Sequence, residues 1–308
     1  MTEPAAIQAI GPPAGLGFRK IRDRIVEAGL LAAALVAVFT TIAIVVVLVT
    51  ESLPFFGHVS IKDFLTDTMW TPLFEDAHYG ILPLVAGTLV TTLVALAVAI
   101  PCGTIIAIYL SEFAPFKLRE VIKPALELLG AVPTVVYGYF ALLIITPLLQ
   151  KLIPGLPGFN MLSAGIVIGI MIIPYVASVS EDAMRAVPNY MREGSYAMGS
   201  TRFQTATRVV VPGALSGIAA AYILGISRAV GETMIVAIAA GLQPSLTFDP
   251  TQPAATITAF IVQVSLGDLP HGSIGYQSIF AAGLVLMLMT LVFNIAGFAL
   301  TRKFREAY

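Results

Sequence analysis

An arginine and a glutamate stand four residues apart inside a long apolar stretch of the sequence. Arg228 and Glu232 are the only charged residues within 213–242. A charge near the middle of a bilayer costs at least about 2.5–3.5 kcal/mol on insertion scales, so such residues usually mark an ion or substrate path. Arginine suits an oxyanion because its planar fork donates two parallel hydrogen bonds and stays charged at any working pH.

Two interpretations of this pair remain open. If residues 213–242 form one helix, Glu232 lies one turn beyond Arg228 on the same face and can neutralise it. Arg228 is then either an anion site or gate in a water-filled path, which Glu232 holds ready, or half of a structural ion pair that locks a helix bundle. Gly231 between them lets a neighbouring backbone or a substrate approach closely.

The composition places these residues in a membrane protein. The 308 residues are 57% hydrophobic and 11% charged, whereas soluble domains carry about 25% charged residues. The 17 Lys and Arg against 18 Asp and Glu give a net charge of −1, so the chain lacks the basic field that nucleic-acid binding requires. A single cysteine, Cys102, excludes a disulfide framework.

Six apolar runs are long enough to cross a bilayer, since a transmembrane helix needs about 20 residues. Because the segments between them show no alternating strand pattern, we predict an all-α membrane protein with six transmembrane helices. The predicted spans are 25–50, 82–111, 121–149, 161–180, 213–242 and 278–301. The first run is too long for the core of a cleavable signal peptide.

The basic residues predict the topology. Fourteen of the 17 fall in the two tails and in alternate loops or at their edge, where Lys123 lies just inside the third span, so the positive-inside rule places both termini in the cytoplasm. The predicted organisation is a cytoplasmic tail (1–24), the first helix, a periplasmic loop (51–81) that packs as a small aromatic cap, and a core over 82–302. This core has five helices and a cytoplasmic loop at 181–212, and a cytoplasmic tail (303–308) follows it.

A second motif lies in the loop 181–212. Glu193, Gly194, Ser195 and Gly199 are followed, after nine residues, by Val-Val-Val-Pro ending at Pro212. Small residues allow close helix packing, and glycine permits a sharp exit from a helix. The pattern resembles the EAA loop of ABC-importer permeases, which implies a short helix that docks on an ATPase subunit through these five residues. A generic amphipathic loop is the alternative.

Two further stretches, within about 220 residues of wider likeness from 87 to 301, are similar to the phosphate-specific (Pst) permeases. Residues 127–138 (ELLGAVPTVVYG) resemble the ELLxxxPSxVYG stretch of that family, and residues 225–234 (GISRAVGETM) resemble its G-x-x-RAxGET segment. Met234 and the Thr-Ile-Thr-Ala at 256–259 favour the PstC type over the PstA type.

This resemblance implies the type I ABC importer permease (MetI-like) fold, inorganic phosphate as the substrate and the bacterial inner membrane as the location. It also implies three kinds of partner: a PstA-like permease, a dimer of PstB-like ATPases and a PstS-like periplasmic binding protein. The hypothesis is a permease subunit that forms half of the translocation path of an ATP-driven phosphate importer.

The sequence itself lacks enzyme motifs. It contains no GxxxxGK[ST] phosphate loop, no HExxH and no GxSxG, so we predict no catalytic residue, cofactor or metal site and expect ATP hydrolysis on separate subunits. The alternatives to the phosphate importer are a permease for another oxyanion, a secondary anion transporter that works without ATPases, and a membrane scaffold held by a structural ion pair.

Overall fold

The computed structural model describes residues 16–74 and 76–303, so residues 1–15 and 304–308 of the predicted tails, and Glu75 of the predicted external loop, lie outside the described residues. The described chain is helical, with one isolated β-bridge between Trp70 and Tyr79. Its contacts divide it into two units, Met1–Thr50 and Glu51–Tyr308.

The first unit is part of one long helix. Helix α1 runs over Leu16–His58 and continues past the unit boundary. Its segment Arg22–His58 is long and apolar enough to span a membrane, and it contains the predicted first span, 25–50. Apolar side chains such as Leu30, Leu35 and Phe39 are exposed, as expected of a helix that faces lipid rather than water.

The second unit contains the remaining elements. Its helices are α2 (Ile61–Thr66), α3 (Leu82–Ile108), α4 (Phe116–Gly130), α5 (Thr134–Phe140), α6 (Thr146–Leu152), α7 (Met161–Ala186), α8 (Asn189–Ala197), α9 (Arg202–Thr205), α10 (Val211–Gly213), α11 (Leu215–Val230), α12 (Met234–Ala239), α13 (Ile257–Gln263) and α14 (Ile274–Lys303). Single π-helical turns extend or join some of them, at Tyr109–Phe113, Ala141–Ile145, Ala206–Val210 and Val264–Asp268.

Helix α7 forms the centre of the core. Its side chains Ile168, Ile172 and Val176 are fully buried, and the helix packs against α3, α4 and α11. Gly165 and Gly169 lie on its contact with α3, where an added Cβ at Gly165 would fall 2.6 Å from Val94. Small residues thus let the two helices approach closely.

The predicted third span, 121–149, begins in the wrong place. Residues 116–130 form α4, which has no buried residue and exposes Glu127, and the apolar span is Thr134–Leu152. The chain breaks at Ala131–Pro133 because Pro133 has no N–H to donate and disfavours helical geometry in the residue before it. The prediction rested on hydropathy alone, and it therefore combined the amphipathic helix α4 with the apolar span that follows it.

The predicted fifth span, 213–242, is not one helix. The helical segments Arg202–Gly213 and Leu215–Val230 meet at an angle of 72°, next to Pro212, and the second segment ends at Val230. Helix then resumes at Met234. Residues 16–74 and 76–303 therefore contain five long apolar helices, or six spans when the bent pair counts as one. The remaining predicted spans, 82–111, 161–180 and 278–301, lie within the apolar helices Leu82–Phe113, Met161–Ala186 and Ile274–Arg302.

Candidate substrate path and coupling loop

Arg228 lies near the C-terminal end of α11 and is half-buried. Its guanidinium carbon stands 4.4 Å from the centre of the Tyr175 ring. Its Nε is buried and donates to no acceptor among the described residues, and no ion pair found among residues 16–74 and 76–303 includes it. A ring face attracts a cation by about 0.5–2 kcal/mol, but it leaves the buried Nε–H without an acceptor. The guanidinium can therefore still bind an oxyanion.

Tyr175 on α7 is held by its own hydroxyl, which donates to the carbonyl of Gly130 at 3.0 Å. A Cβ at residue 130 would lie 3.3 Å from that hydroxyl oxygen, so glycine permits this close approach. The contact joins the stretch 127–138 to the segment around Arg228. Spacing gave no sign of Tyr175, because it lies 53 residues before Arg228 and on another helix.

Glu232 makes different contacts from the predicted pairing with Arg228. Its carboxylate accepts hydrogen bonds from the amides of Met234 at 3.1 Å and Ile235 at 3.3 Å, and only 8% of the residue is exposed. It therefore caps the start of α12. The predicted pairing with Arg228 on one helical face is wrong, because α11 ends at Val230 and Glu232 belongs to the break that follows.

A buried threonine cluster supports this break. Thr258 donates to the carbonyl of Glu232 at 2.7 Å, and Thr256 accepts from the amide of Ala259 at 3.2 Å at the start of α13. The amide of Ile257 donates to the hydroxyl of Thr88 on α3 at 3.1 Å. The Thr-Ile-Thr-Ala stretch thus satisfies buried polar groups around the broken span, as irregular backbone in a membrane protein requires.

A short helix, α8, is present in the loop 181–212, where the resemblance implies one. Helix α8 carries Glu193, Gly194 and Ser195, and the chain leaves it at Gly199 with φ +82°. The amide of Gly199 donates to the carbonyl of Tyr196 at 2.9 Å, which completes the helix end. Ser195 shares a hydrogen bond of 2.9 Å with Thr205, and Pro212 lies in the short helix α10.

The structure places residues 181–186 of the predicted loop 181–212 in α7. The part over residues 189–212, called the coupling loop from here on, presents an exposed surface. Glu193 and Gly194 are exposed on α8. Large apolar side chains beside them are also exposed, and Met198 is the most open at 87%. They are Tyr190, Tyr196, Met198 and Phe203. An apolar group of this kind on a polar loop is typical of a surface that binds another protein.

Two ion-pair groups that sequence reasoning missed lie at the same end of the molecule as this loop. Arg192 on α8 contacts Glu112 at 2.9 Å and donates to the carbonyls of Val187 and Met184. Glu181, fully buried, lies 2.8 Å from both Arg119 and Lys123 of α4. The partners are 58 to 80 residues apart in sequence, so only the fold brings them together.

Bent and broken spans around a half-buried arginine, with an exposed polar helix at one end, define a membrane-transport permease. The chain belongs to the family described as binding-protein-dependent transport system inner membrane component, whose model matches residues 99–306. It is thus a multi-pass inner-membrane protein and a transport subunit of a family that is not catalytic. Permeases of this family work together with ATPase subunits and a substrate-binding protein.

Individual relatives agree with this assignment. The chain is 35% identical over 276 residues to a probable ABC transporter permease of Bacillus subtilis, covering 89% of this chain and 88% of that protein. It is 34% identical to the phosphate transport system permease PstC of Mesorhizobium japonicum, with 78% of each chain covered. A chain of a crystallised bacterial alginate ABC transporter shares the fold, with a TM-score of 0.64, 17% identity, and coverage of 94% and 98%. The type I importer permease fold predicted from the sequence is confirmed.

Proposed function

We propose that this chain is a permease subunit of an ATP-driven importer of inorganic phosphate and forms half of its translocation path. The support for the substrate is the similarity to PstC permeases. The single observation that carries the role of Arg228 is its half-buried guanidinium, which has a ring face and no carboxylate among the described residues beside it. A phosphate oxyanion supplies the charge and the acceptors that such a group lacks.

The remaining assignments follow from this proposal. A PstA-like permease would complete the path, a PstS-like protein would deliver phosphate from outside, and a pair of PstB-like ATPases would bind the coupling loop. Closure of the ATPases on ATP would move α8, which carries Glu193, Gly194 and Ser195, and the exit at Gly199. The bundle would then open outward to accept phosphate.

Phosphate uptake in a strain that lacks this chain tests the proposal. The wild-type chain should restore uptake, Arg228→Gln should not, and Arg228→Lys should restore part of it because lysine keeps the charge and loses the bidentate fork. Lys151→Gln, at an exposed residue at the end of α6, is the matched control and should behave as wild type at equal membrane expression.

Three results would contradict the proposal. Full uptake by Arg228→Gln would remove this residue from the path. Restored uptake of sulfate or molybdate in place of phosphate would indicate another oxyanion. Uptake that persists when the partner ATPase is inactivated would indicate a secondary transporter.

The orientation of the chain is proposed on the positive-inside rule, with both termini in the cytoplasm. A reporter fused after Tyr308 that fluoresces only in the cytoplasm should be bright. Periplasmic phosphatase activity from the same fusion would contradict this orientation and, with it, the cytoplasmic position of the coupling loop.

A further inference from the structure

A polar cavity of about 430 Å³ lies beside α8, at the end of the molecule where the basic side chains gather. The positive-inside rule assigns this end to the cytoplasm. The π-helical turn Tyr109–Phe113, the start of α4, the end of α7 and the coupling loop enclose it. Four arginines line the cavity, together with one carboxylate, that of Glu112; they are Arg119, Arg185, Arg192 and Arg202.

Two of these arginines are already engaged. Arg192 contacts Glu112 at 2.9 Å and donates to two backbone carbonyls. Ser111 also donates to Glu112, at 2.8 Å, so the one lining carboxylate has partners on both sides. Arg119 Nε lies 2.8 Å from the fully buried Glu181, at an angle that makes an ion pair without a hydrogen bond.

The positive charges of Arg185 and Arg202 are not closely balanced by a carboxylate among the described residues. Arg185 reaches Glu181 only at 3.8 Å, and 46% of its side chain is exposed. Arg202 is exposed, and it enters no ion pair within the described part of the chain; its guanidinium carbon lies 5.9 Å from the centre of the Phe113 ring. The concave wall therefore carries an excess of positive charge in a form that binds a dianion well, since guanidinium groups match phosphate oxygens in pairs.

We propose that this cavity is a second anion site, open to the cytoplasm, that binds a phosphate group between Arg185 and Arg202. The site is separate from Arg228 and does not depend on which substrate the permease carries. Inorganic phosphate and the headgroup of an anionic phospholipid share the chemistry that it recognises. Because Arg185 belongs to α7 and Arg202 begins α9 within the coupling loop, three residues after Gly199, a bound phosphate group holds the coupling loop against the membrane helices.

Cysteine labelling of the full chain tests the site. The only cysteine, Cys102, is replaced by alanine, and Asn189→Cys then places one thiol on the cavity wall. Glu193→Cys, one turn further along α8 and exposed outside the cavity, is the matched control. Both are labelled with a maleimide in nanodiscs of phosphatidylcholine, with sodium phosphate or with sodium chloride at equal ionic strength.

Phosphate at twice its dissociation constant leaves one third of the sites open, so we expect labelling at 189 to slow about threefold and labelling at 193 to stay unchanged. A second arm uses nanodiscs that contain phosphatidylglycerol and no added phosphate; slow labelling there identifies the headgroup as the source. Arg185→Gln with Arg202→Gln should abolish the protection in either arm, whereas Arg208→Gln, exposed on the same loop and outside the cavity, should keep it.

Equal labelling rates in all these conditions would overturn the proposal, as would protection that survives the double Arg185/Arg202 replacement. Protection seen only when the partner ATPase is added would overturn it too, since the cavity would then be part of a protein interface. None of these outcomes depends on uptake, so a negative result here leaves the proposed transport function as it stands, and the reverse also holds.

Discussion

The Arg228 guanidinium carbon lies 4.4 Å from the centre of the Tyr175 ring, while the Glu232 carboxylate accepts hydrogen bonds from the start of α12. The two charges of the apolar stretch therefore have separate roles. Arg228 contacts an aromatic face, and its Nε–H keeps no acceptor among the described residues. Glu232 stabilises the break in the span that follows α11. This separation gives each residue its own test.

The ring of Tyr175 should matter more than its hydroxyl. Tyr175→Phe keeps the face that holds Arg228 and loses only the bond to the Gly130 carbonyl, so we expect uptake within about twofold of wild type. Tyr175→Leu removes a cation–π contact of about 0.5–2 kcal/mol and should lower uptake several-fold. Initial rates at matched expression measure both, and equal loss in the two variants would show that the hydroxyl is the essential group.

Glu232 should contribute to stability through its cap. Glu232→Ala removes the acceptor of two amides and should destabilise the chain by about 0.5–2 kcal/mol, whereas Glu232→Gln keeps one carbonyl oxygen and should lose less. Thermal unfolding of the purified chain compares them. Because Arg228 and Glu232 form no ion pair, combining Arg228→Gln with Glu232→Gln should not restore uptake; recovery to near wild type would mean that the two charges do compensate each other.

Gly199 should be required for its backbone conformation. Its φ is +82°, and an added Cβ meets nothing within 4 Å, so Gly199→Val acts through the left-handed geometry alone, at about 1–2 kcal/mol. We expect the variant to insert normally and to lose the link between ATP hydrolysis and uptake. Gly155→Val adds the same strain at φ +85°, also with nothing within 4 Å of the added Cβ; it lies outside the coupling loop, so it is the control and should remain coupled.

Glu181 should be the most sensitive of the buried charges. It is fully buried against Arg119 and Lys123, so Glu181→Gln leaves Arg119 without its ion-pair partner and Lys123 with Asp182 alone, and we expect a loss of about 3–5 kcal/mol. Thermal unfolding of the chain measures this. Asp182→Asn is the control: it is 60% exposed and shares Lys123, and it should cost about 1 kcal/mol or less.

The sequence predicted those parts of the fold that depend on residues close together along the chain. Spans of about 20 apolar residues are local signals, and the predicted spans 25–50, 82–111 and 161–180 each lie within an apolar helix of the structure. The start of the third span was predicted wrongly. Helix α4 carries its apolar residues on one side only, and a mean hydropathy over the whole stretch averages Lys123 and Glu127 with their apolar neighbours.

The candidate site shows the same division. The glycine exit at residue 199 and the unusual place of Arg228 in an apolar stretch were visible in residue type and spacing. The expected pairing with Glu232 failed because it assumed an unbroken helix, although Gly231 marks the break. Tyr175 and the partners of Glu181 could not be found from spacing, since they are brought into contact only by the packing of α4, α7 and α11.

The external loop 51–81 offers a pH test with its own reporter. His78 Nδ1 lies 2.8 Å from an Asp67 carboxylate oxygen, and this hydrogen bond raises the pKa of His78 above 6.5 and lowers the pKa of Asp67 below 3.8. The pair's stabilisation is complete below pH 6.5 on the histidine side. It is lost as the pH rises through the raised pKa of His78, and on the acidic side as the pH falls through the lowered pKa of Asp67.

Trp70 lies between these two residues in sequence and is 1% exposed, and the chain has no other tryptophan. Quenching of its fluorescence by acrylamide should therefore increase as the pH is raised from about 6 to 9, because loss of the charged pair loosens the segment that buries it. His78→Gln should remove this pH dependence. His58→Gln, at an exposed histidine that bonds only the carbonyl of Pro54 among its described contacts, should keep it, and an unchanged response in His78→Gln would assign the titration to another group.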